Sequence, residues 1–199
     1  TSALYTALEL APGDPTLAEA AFFVGEAWFK LGDGQKAVDA YSIAADNPAC
    51  TLGAEAKYKL GFTLLRAEQV ADAGDAFGRV VRDHEGHKLH GESTFLYGEC
   101  LFRTGDYAGA ATQFGNLRST QPLHNIMPKN LFRLGMAQFQ LEKYQDADMT
   151  LTELATKYPE FGNIPEAELW RGRSLAALGK RRPAQQAFER VLARDKGVL

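Results

Sequence analysis

One stretch, GFTLLRAEQVADAGDAF at residues 61–77, decides the fold of this chain. It holds three landmarks: a glycine, an alanine twelve residues later and a large apolar residue four residues after that. The landmarks occur five times at a spacing of 36 or 37 residues, as Gly25, Ala37 and Tyr41; Gly61, Ala73 and Phe77; Gly98, Ala110 and Phe114; Gly135, Ala147 and Leu151; and Gly172, Ala184 and Phe188. Such a fixed period is typical of stacked structural repeats.

Each of the five glycines falls inside a helical pattern, where glycine costs about 1 kcal/mol relative to alanine. Its return at one register therefore indicates a packing requirement. We expect two helix backbones to approach closely at this glycine, with the alanine of the second helix opposite it.

The three landmarks, with an apolar residue just before most of the glycines, resemble the tetratricopeptide repeat. That resemblance covers essentially the whole chain and implies antiparallel helix pairs. The predicted fold class is all-α, a right-handed superhelical solenoid of about five and a half helix pairs. The opening Ala54–Gly61 further resembles the longer repeats of bacterial envelope proteins, in particular the periplasmic Tol-Pal coordinator and the lipoprotein of the outer-membrane β-barrel assembly machine.

The repeat frame predicts helices and no strand. They are expected at about 2–11, 16–31, 35–47, 53–67, 70–84, 91–104, 107–120, 128–141, 144–158, 165–178 and 182–195. We expect a single domain over 1–199, with a half-repeat at 1–12 and repeats at about 16–48, 53–85, 91–122, 128–159 and 165–196. Because the first twelve residues resemble the second helix of an earlier repeat, we expect a piece of a longer protein.

Composition limits the possible functions. With 45% apolar and 24% charged residues, the chain has ample material for a folded core. No window approaches the roughly 18 apolar residues of a membrane span, so no direct membrane insertion is expected. The net charge of -3, without a basic stripe, argues against a nucleic-acid partner. Residues 1–100 hold 8 Lys/Arg and 15 Asp/Glu, whereas 101–199 hold 14 and 10, and this asymmetry leaves a homo-oligomer as an alternative.

The resemblance implies that ligands lie on the concave surface lined by the first helices of the repeats. We call it the first-helix surface and define it by the positions three before, one after and four after each glycine, which share one helix face. Together with the neighbouring arginines, the predicted peptide-binding residues are Phe22, Glu26, Phe29, Tyr58, Phe62, Arg66, Phe95, Glu99, Phe102, Arg103, Phe132, Met136 and Phe139.

Two interpretations of these aromatic residues stay open. Aromatic rings bury a large area at small entropic cost and suit a bound peptide. The same rings could instead pack adjacent first helices together. Beside them, Glu26 and Lys30 have the spacing of a helix-surface ion pair. The carboxylate clamp known from the family is disfavoured, because the positions one after each glycine hold no asparagine.

Other chemistry is weakly indicated. His84, His87 and His90, with His124 in the next connection, are the only metal-site candidates, and their segment is more typical of a solvated loop. Cys50 and Cys100 are not expected to form a disulfide. No catalytic motif is present, so we expect neither an enzyme nor a cofactor.

The sequence therefore predicts a non-enzymatic scaffold that binds a protein or peptide partner. A bacterial periplasmic or envelope location is expected from the narrower resemblance, and a cytoplasmic location is the alternative. Two other functions stay open: a regulatory or substrate-recruiting arm of a larger multidomain enzyme, and a self-assembling scaffold.

Overall fold

A computed structural model describes residues 13–195 of the chain, together with Thr6 and Ala11. Over those residues the protein is all-helical, with ten α-helices and no strand. They are α1 (Pro15–Leu31), α2 (Gly34–Asp46), α3 (Gly53–Arg66), α4 (Val70–Asp83), α5 (His90–Arg103), α6 (Tyr107–Thr120), α7 (Met127–Gln140), α8 (Tyr144–Lys157), α9 (Ile164–Ala177) and α10 (Arg181–Asp195). The predicted fold class is confirmed. The helix predicted at 2–11 falls almost entirely outside the described residues.

The helices form two compact units, the first ending at Cys100 inside α5 and the second beginning at Leu101. In the first unit, α1 packs against α2, α2 against α3 and α3 against α4. In the second unit, α6 to α10 do the same, and α7 also contacts α9. Packing between consecutive helices is typical of a helical repeat protein. The single domain over 1–199 stays a prediction.

Local sequence signals define the helix starts. The side chains of Asp14, Asp33 and Asp106 accept hydrogen bonds from backbone N–H groups in the first turns of α1, α2 and α6, at 2.8, 3.2 and 2.8 Å. Such caps satisfy N–H groups that have no partner inside the helix. Pro128 and Pro165 stand in the first turns of α7 and α9, as predicted.

The turns between the paired helices require a left-handed residue. Gly32, Gly105 and Gly179 supply it with φ of 83°, 88° and 72°. In the second and fourth repeats the same turn position is occupied by Glu68 and Glu142, with φ of 61° and 59°. A side chain at positive φ is strained, and at these two positions no glycine marks the turn.

The repeat glycines make room for a side chain of the second helix. A Cβ atom built on Gly25 would lie 2.6 Å from Cδ1 of Tyr41, and one on Gly61 would lie 2.9 Å from Cζ of Phe77. Equivalent distances are 2.6 Å from Gly135 to Leu151 and 2.4 Å from Gly172 to Phe188. The expected backbone approach with alanine opposite is therefore corrected: the large residue sixteen positions after the glycine fills the space.

Those large second-helix residues form the centre of each unit. In the first unit Tyr41 and Phe77 are fully buried, and in the second Phe114 and Leu151 are buried to the same degree. Cys50 and Cys100 are both buried, and their thiols are free.

Candidate functional site

The residues predicted to form the first-helix surface differ in how exposed their side chains are. Phe22, Phe95 and Phe132, three residues before their glycines, are at most 8% exposed, and Met136 is also buried. These side chains belong to the core. Half-buried positions are Glu26, Phe29, Tyr58, Glu99, Phe102 and Phe139, whereas Arg66 and Arg103 are exposed. Phe62 is the exposed ring of the set, with 41% of its surface accessible.

In the first unit two aromatic rings lie beside Phe62. Its centroid lies 6.4 Å from that of Phe29 and 6.5 Å from that of Tyr58, with the Tyr58 ring stacked at 16°. The guanidinium carbon of Arg66 lies 5.0 Å from the centre of the Phe29 ring. Burial, followed by a hydrogen bond to Glu92, raises the pKa of Tyr58 to about 12, so its hydroxyl stays a neutral donor. We call Phe29, Tyr58, Phe62 and Arg66 the aromatic patch.

Glu26 holds two repeats together. Its Oε1 atom accepts a hydrogen bond from the Tyr41 hydroxyl at 2.6 Å and lies 2.8 Å from Nζ of Lys59. Burial acts to raise the pKa of this carboxyl, but the hydrogen bonds from Lys59 and Tyr41 outweigh it and the pKa is lowered. The observed partner is thus Lys59 on α3, while Lys30 on the same helix contributes only charge.

A small pocket of about 240 Å³ adjoins the aromatic patch. It lies between the end of α1, the turn into α2 and the last turn of α3. Its lining comprises Phe29, Gly32, Gly34, Thr63, Arg66 and Ala67. The residues predicted for the first-helix surface do not include this pocket; its signal in the sequence is the two glycines that flank Asp33, because they leave the turn without side chains.

In the second unit the half-buried rings contact neighbouring side chains. Phe102 lies 5.1 Å from Tyr107, and the Phe139 ring lies 5.3 Å from Tyr144 and 5.0 Å from Trp170, all measured between centroids. These rings join first helices to second helices and to the next repeat.

A recurrent contact supports a packing role for some of these rings. In three cases, the residue two positions before a repeat glycine contacts an aromatic ring of the preceding repeat, the ring four positions after that repeat's glycine. The pairs are Lys59 on Phe29 at 5.9 Å, Arg133 on Phe102 at 5.6 Å and Trp170 on Phe139 at 5.0 Å. Phe62 lies outside this contact. The first-helix surface therefore has structural rings and, in the first unit, one accessible ring.

The histidines are engaged in the connections. Nε2 of His84 lies 2.9 Å from Nζ of Lys57, and Nε2 of His87 lies 3.4 Å from Glu55. His87 and His124 each accept the backbone N–H two residues ahead through Nδ1, at 3.2 Å. His90 is the first residue of α5. Among the described residues, no three His, Cys, Asp or Glu side chains are arranged to hold a metal ion.

Two wider grooves lie outside the predicted surface, each between two second helices and the first helix that connects them. One, of about 600 Å³ in the second unit, is lined by Ala111, Gly115 and Leu134 with Arg118, Lys143 and Asp146 at its polar side. Another of about 430 Å³ occupies the equivalent place in the first unit. Both grooves are lined by acidic and basic side chains, so their charge does not indicate whether a partner would be acidic or basic.

None of the helices described above is both long and apolar enough to cross a lipid bilayer.

Comparisons with known proteins agree with the repeat architecture. Two family models described as tetratricopeptide repeat match the chain, one over residues 58–119 and the other over 129–160 and 166–196. Together these matches span more than half of the chain. No curated protein sequence matches it. The narrower resemblance to the two envelope proteins stays a prediction.

Several solved structures share the fold. A crystal structure of MamA protein has a TM-score of 0.75 and 18% identity, covering 90% of this chain and 92% of that one. YrrB, described as a TPR protein with an unusual peptide-binding site, has a TM-score of 0.73 and 16% identity, covering 96% of this chain and 91% of that one. MamA from residue 41 to its end, from Desulfovibrio magneticus RS-1, has a TM-score of 0.72 and 15% identity, covering 90% and 96%. At these identities the likeness concerns the fold alone.

Proposed function

Because the chain belongs to the tetratricopeptide repeat family, we propose that it is a non-enzymatic interaction scaffold that binds a peptide segment on the first-helix surface of its first unit. Tetratricopeptide repeats are generally interaction modules, and the similar protein YrrB is described as having a peptide-binding site. A small-molecule enzyme needs a set of converging reactive groups, and the sequence contains no catalytic motif that would supply one.

The observation that carries this proposal is the exposure of Phe62. An aromatic side chain that is 41% accessible, with two other rings beside it and the Arg66 guanidinium over Phe29, presents apolar area next to a cation. Aromatic residues and arginine dominate the binding energy of protein interfaces. Lys59 and Glu26, in contrast, already bind each other and contribute to the scaffold.

Selection from a displayed library of random twelve-residue peptides tests the proposal. Recovered peptides are titrated against the wild-type protein, Phe62→Ala and the matched control Phe23→Ala. Phe23 is a 61% exposed ring of α1 outside the predicted surface. Loss of an interface anchor weakens binding by at least about tenfold, so Phe62→Ala should show this loss and Phe23→Ala should not. Failure to recover peptides, or equal effects of both variants, would refute the proposal.

We also propose an envelope location, supported by the resemblance of the Ala54–Gly61 opening to envelope repeats. Fractionation of cells that express the full-length gene tests it, and recovery in the cytoplasm alone would contradict it. The alternative of an arm of a larger enzyme rests on no feature of the described residues, and a catalytic domain in the same gene would be its support.

Self-assembly is a second candidate, favoured by the charge asymmetry between residues 1–100 and 101–199. Size-exclusion chromatography at rising protein concentration and at two salt concentrations tests it. Electrostatic self-association should weaken as salt rises. A monomer at every concentration would exclude this candidate.

A further inference from the structure

We propose that the pocket beside the aromatic patch receives one large apolar side chain of the bound peptide, while Arg66 binds a carboxylate next to that side chain. The inference rests on the proposed function, because it specifies the chemistry of the peptide. The predicted partner is therefore an acidic segment that contains an aromatic or large aliphatic residue. Phe29 connects the two features, since it lines the pocket and contacts Phe62.

The size of the pocket favours a side chain over a metabolite. Its volume is about 240 Å³, whereas small-molecule sites commonly measure about 300–1,000 Å³. Thr63, in its wall, is 3% exposed and donates its hydroxyl to the backbone oxygen of Lys59 at 2.8 Å. Because that hydroxyl already has a partner inside α3, the wall does not require a polar ligand group.

Two glycines, Gly32 and Gly34, line the pocket. A Cβ atom on Gly32 or Gly34 would have no other atom within 4 Å. Position 32 requires glycine, because its φ is +83°. Gly34 is the first residue of α2 and has no such restriction, so a larger residue there would occupy the space without straining the backbone.

The charge next to the pocket is positive. Arg66 is exposed and forms no ion pair within the part of the chain that the structure describes. Two nearby acidic side chains already have partners: Glu26 lies 2.8 Å from Lys59, and Asp33 lies 2.7 Å from Lys36. Glu68, two residues after Arg66, is exposed and forms no ion pair with it. The guanidinium of Arg66 thus remains available for a carboxylate, with which it forms strong paired hydrogen bonds.

Three synthetic seven-residue peptides test this chemistry. The first is Gly-Ser-Asp-Trp-Asp-Ser-Gly; the second has Lys for both Asp residues, and the third has Ala for Trp. Each is titrated to millimolar concentration into isotope-labelled protein, and amide shifts are followed by NMR. The first peptide should shift the amides of Gly32, Gly34 and Thr63 and bind about tenfold more tightly than either of the others.

Two variants then separate the parts of the site. Gly34→Trp should abolish binding of the first peptide by filling the pocket, while its control Gly115→Trp, another helical glycine with open space around it, should bind normally. Arg66→Glu should reverse the preference in favour of the Lys peptide. Circular dichroism verifies that all variants fold.

The outcomes distinguish this inference from the function on which it rests. If library peptides bind in a Phe62-dependent manner but the Asp and Lys peptides bind equally, or Gly34→Trp has no effect, only the pocket assignment is wrong. If no library peptide binds, the proposed function fails and the pocket assignment fails with it.

Discussion

Tyr41 occupies the space that a side chain on Gly25 would need: a Cβ atom built on Gly25 would lie 2.6 Å from Cδ1 of the Tyr41 ring. The ring cannot move away easily, because Tyr41 is fully buried and its hydroxyl donates a 2.6 Å hydrogen bond to Glu26. The large residue sixteen positions later thus requires a glycine at the repeat position, because a side chain there would overlap with it. This requirement explains why the glycine and the large residue occur together in each repeat.

Gly25→Ala should destabilise the protein despite the better helix propensity of alanine. Overpacking of a filled core costs about 1–3 kcal/mol, which exceeds the roughly 1 kcal/mol gained by removing a helical glycine. Urea unfolding at 25 °C measures the change. Gly115→Ala in α6 is the control, because a Cβ atom there meets nothing within 4 Å, and it should be stabilising. Equal effects of the two substitutions would contradict the space requirement.

Glu142→Gly should stabilise the fourth repeat. Glu142 adopts φ of 59° in a turn where three other repeats place glycine. A left-handed residue with a side chain costs about 1–2 kcal/mol, part of which is offset by the greater freedom of glycine in the unfolded chain. We expect a net gain of about 0.5–1 kcal/mol, visible as a higher melting temperature. The reverse substitution Gly105→Glu should lower it, and a lower melting temperature for Glu142→Gly would show that the turn is unstrained.

Acid should weaken the first unit through His84. Its pKa is lowered, first by burial and then by the charge of Lys57, whose Nζ lies 2.9 Å from Nε2. Asp83 and Glu55 oppose this shift, while His87 adds to it. Because the folded pKa lies below the ordinary value of about 6.5, the unfolded chain binds the proton more readily. The contribution of His84 to stability is therefore fully present above the ordinary pKa of about 6.5 and is lost as the pH falls through the folded pKa.

His84→Asn isolates this contribution, since Asn47 occupies the equivalent position at the end of α2. Unfolding free energies are compared between pH 7.5 and pH 5.5, above the range in which Glu26 and Glu55, whose pKa values are lowered, become protonated. The wild type should lose stability over this interval, by less than about 1.4 kcal/mol per pH unit, and the variant should lose less. Identical losses would exclude His84 as the cause.

Phe95→Ala and Phe62→Ala should separate packing from binding. Phe95 is 7% exposed, so its truncation should cost about 3–5 kcal/mol of stability. Phe62 is 41% exposed, so its truncation should lower the free energy of unfolding by only about 1 kcal/mol. Urea unfolding measures both values. A large loss for Phe62→Ala would assign that ring to packing and leave the first-helix surface without an accessible aromatic residue.

The helical frame was predictable because its signals are local. Pro128 in the first turn of α7 and the left-handed Gly105 each depend on a few neighbouring residues. Glu142 was missed, because nothing in its own sequence marks a positive φ; only the equivalence with Gly105 and Gly179 could have indicated it.

The candidate site was predictable only in part. Residue spacing placed Phe62 of α3 and Phe95 of α5 on the first-helix surface, but Phe62 is 41% exposed whereas Phe95 is buried. The partner of Glu26 was also missed: Lys59 lies on the next first helix, whereas the sequence suggested Lys30 one turn away.

Sequence alone therefore determined the number and order of the helix pairs, since a period of 36 or 37 residues and helix-capping residues act within each repeat. Tertiary structure decided which rings are accessible, which carboxylates are already paired and that a pocket exists between Phe29, Gly34 and Arg66. Those features arise where residues of different repeats meet. Their distances depend on how helices pack, which residue spacing along one helix does not specify.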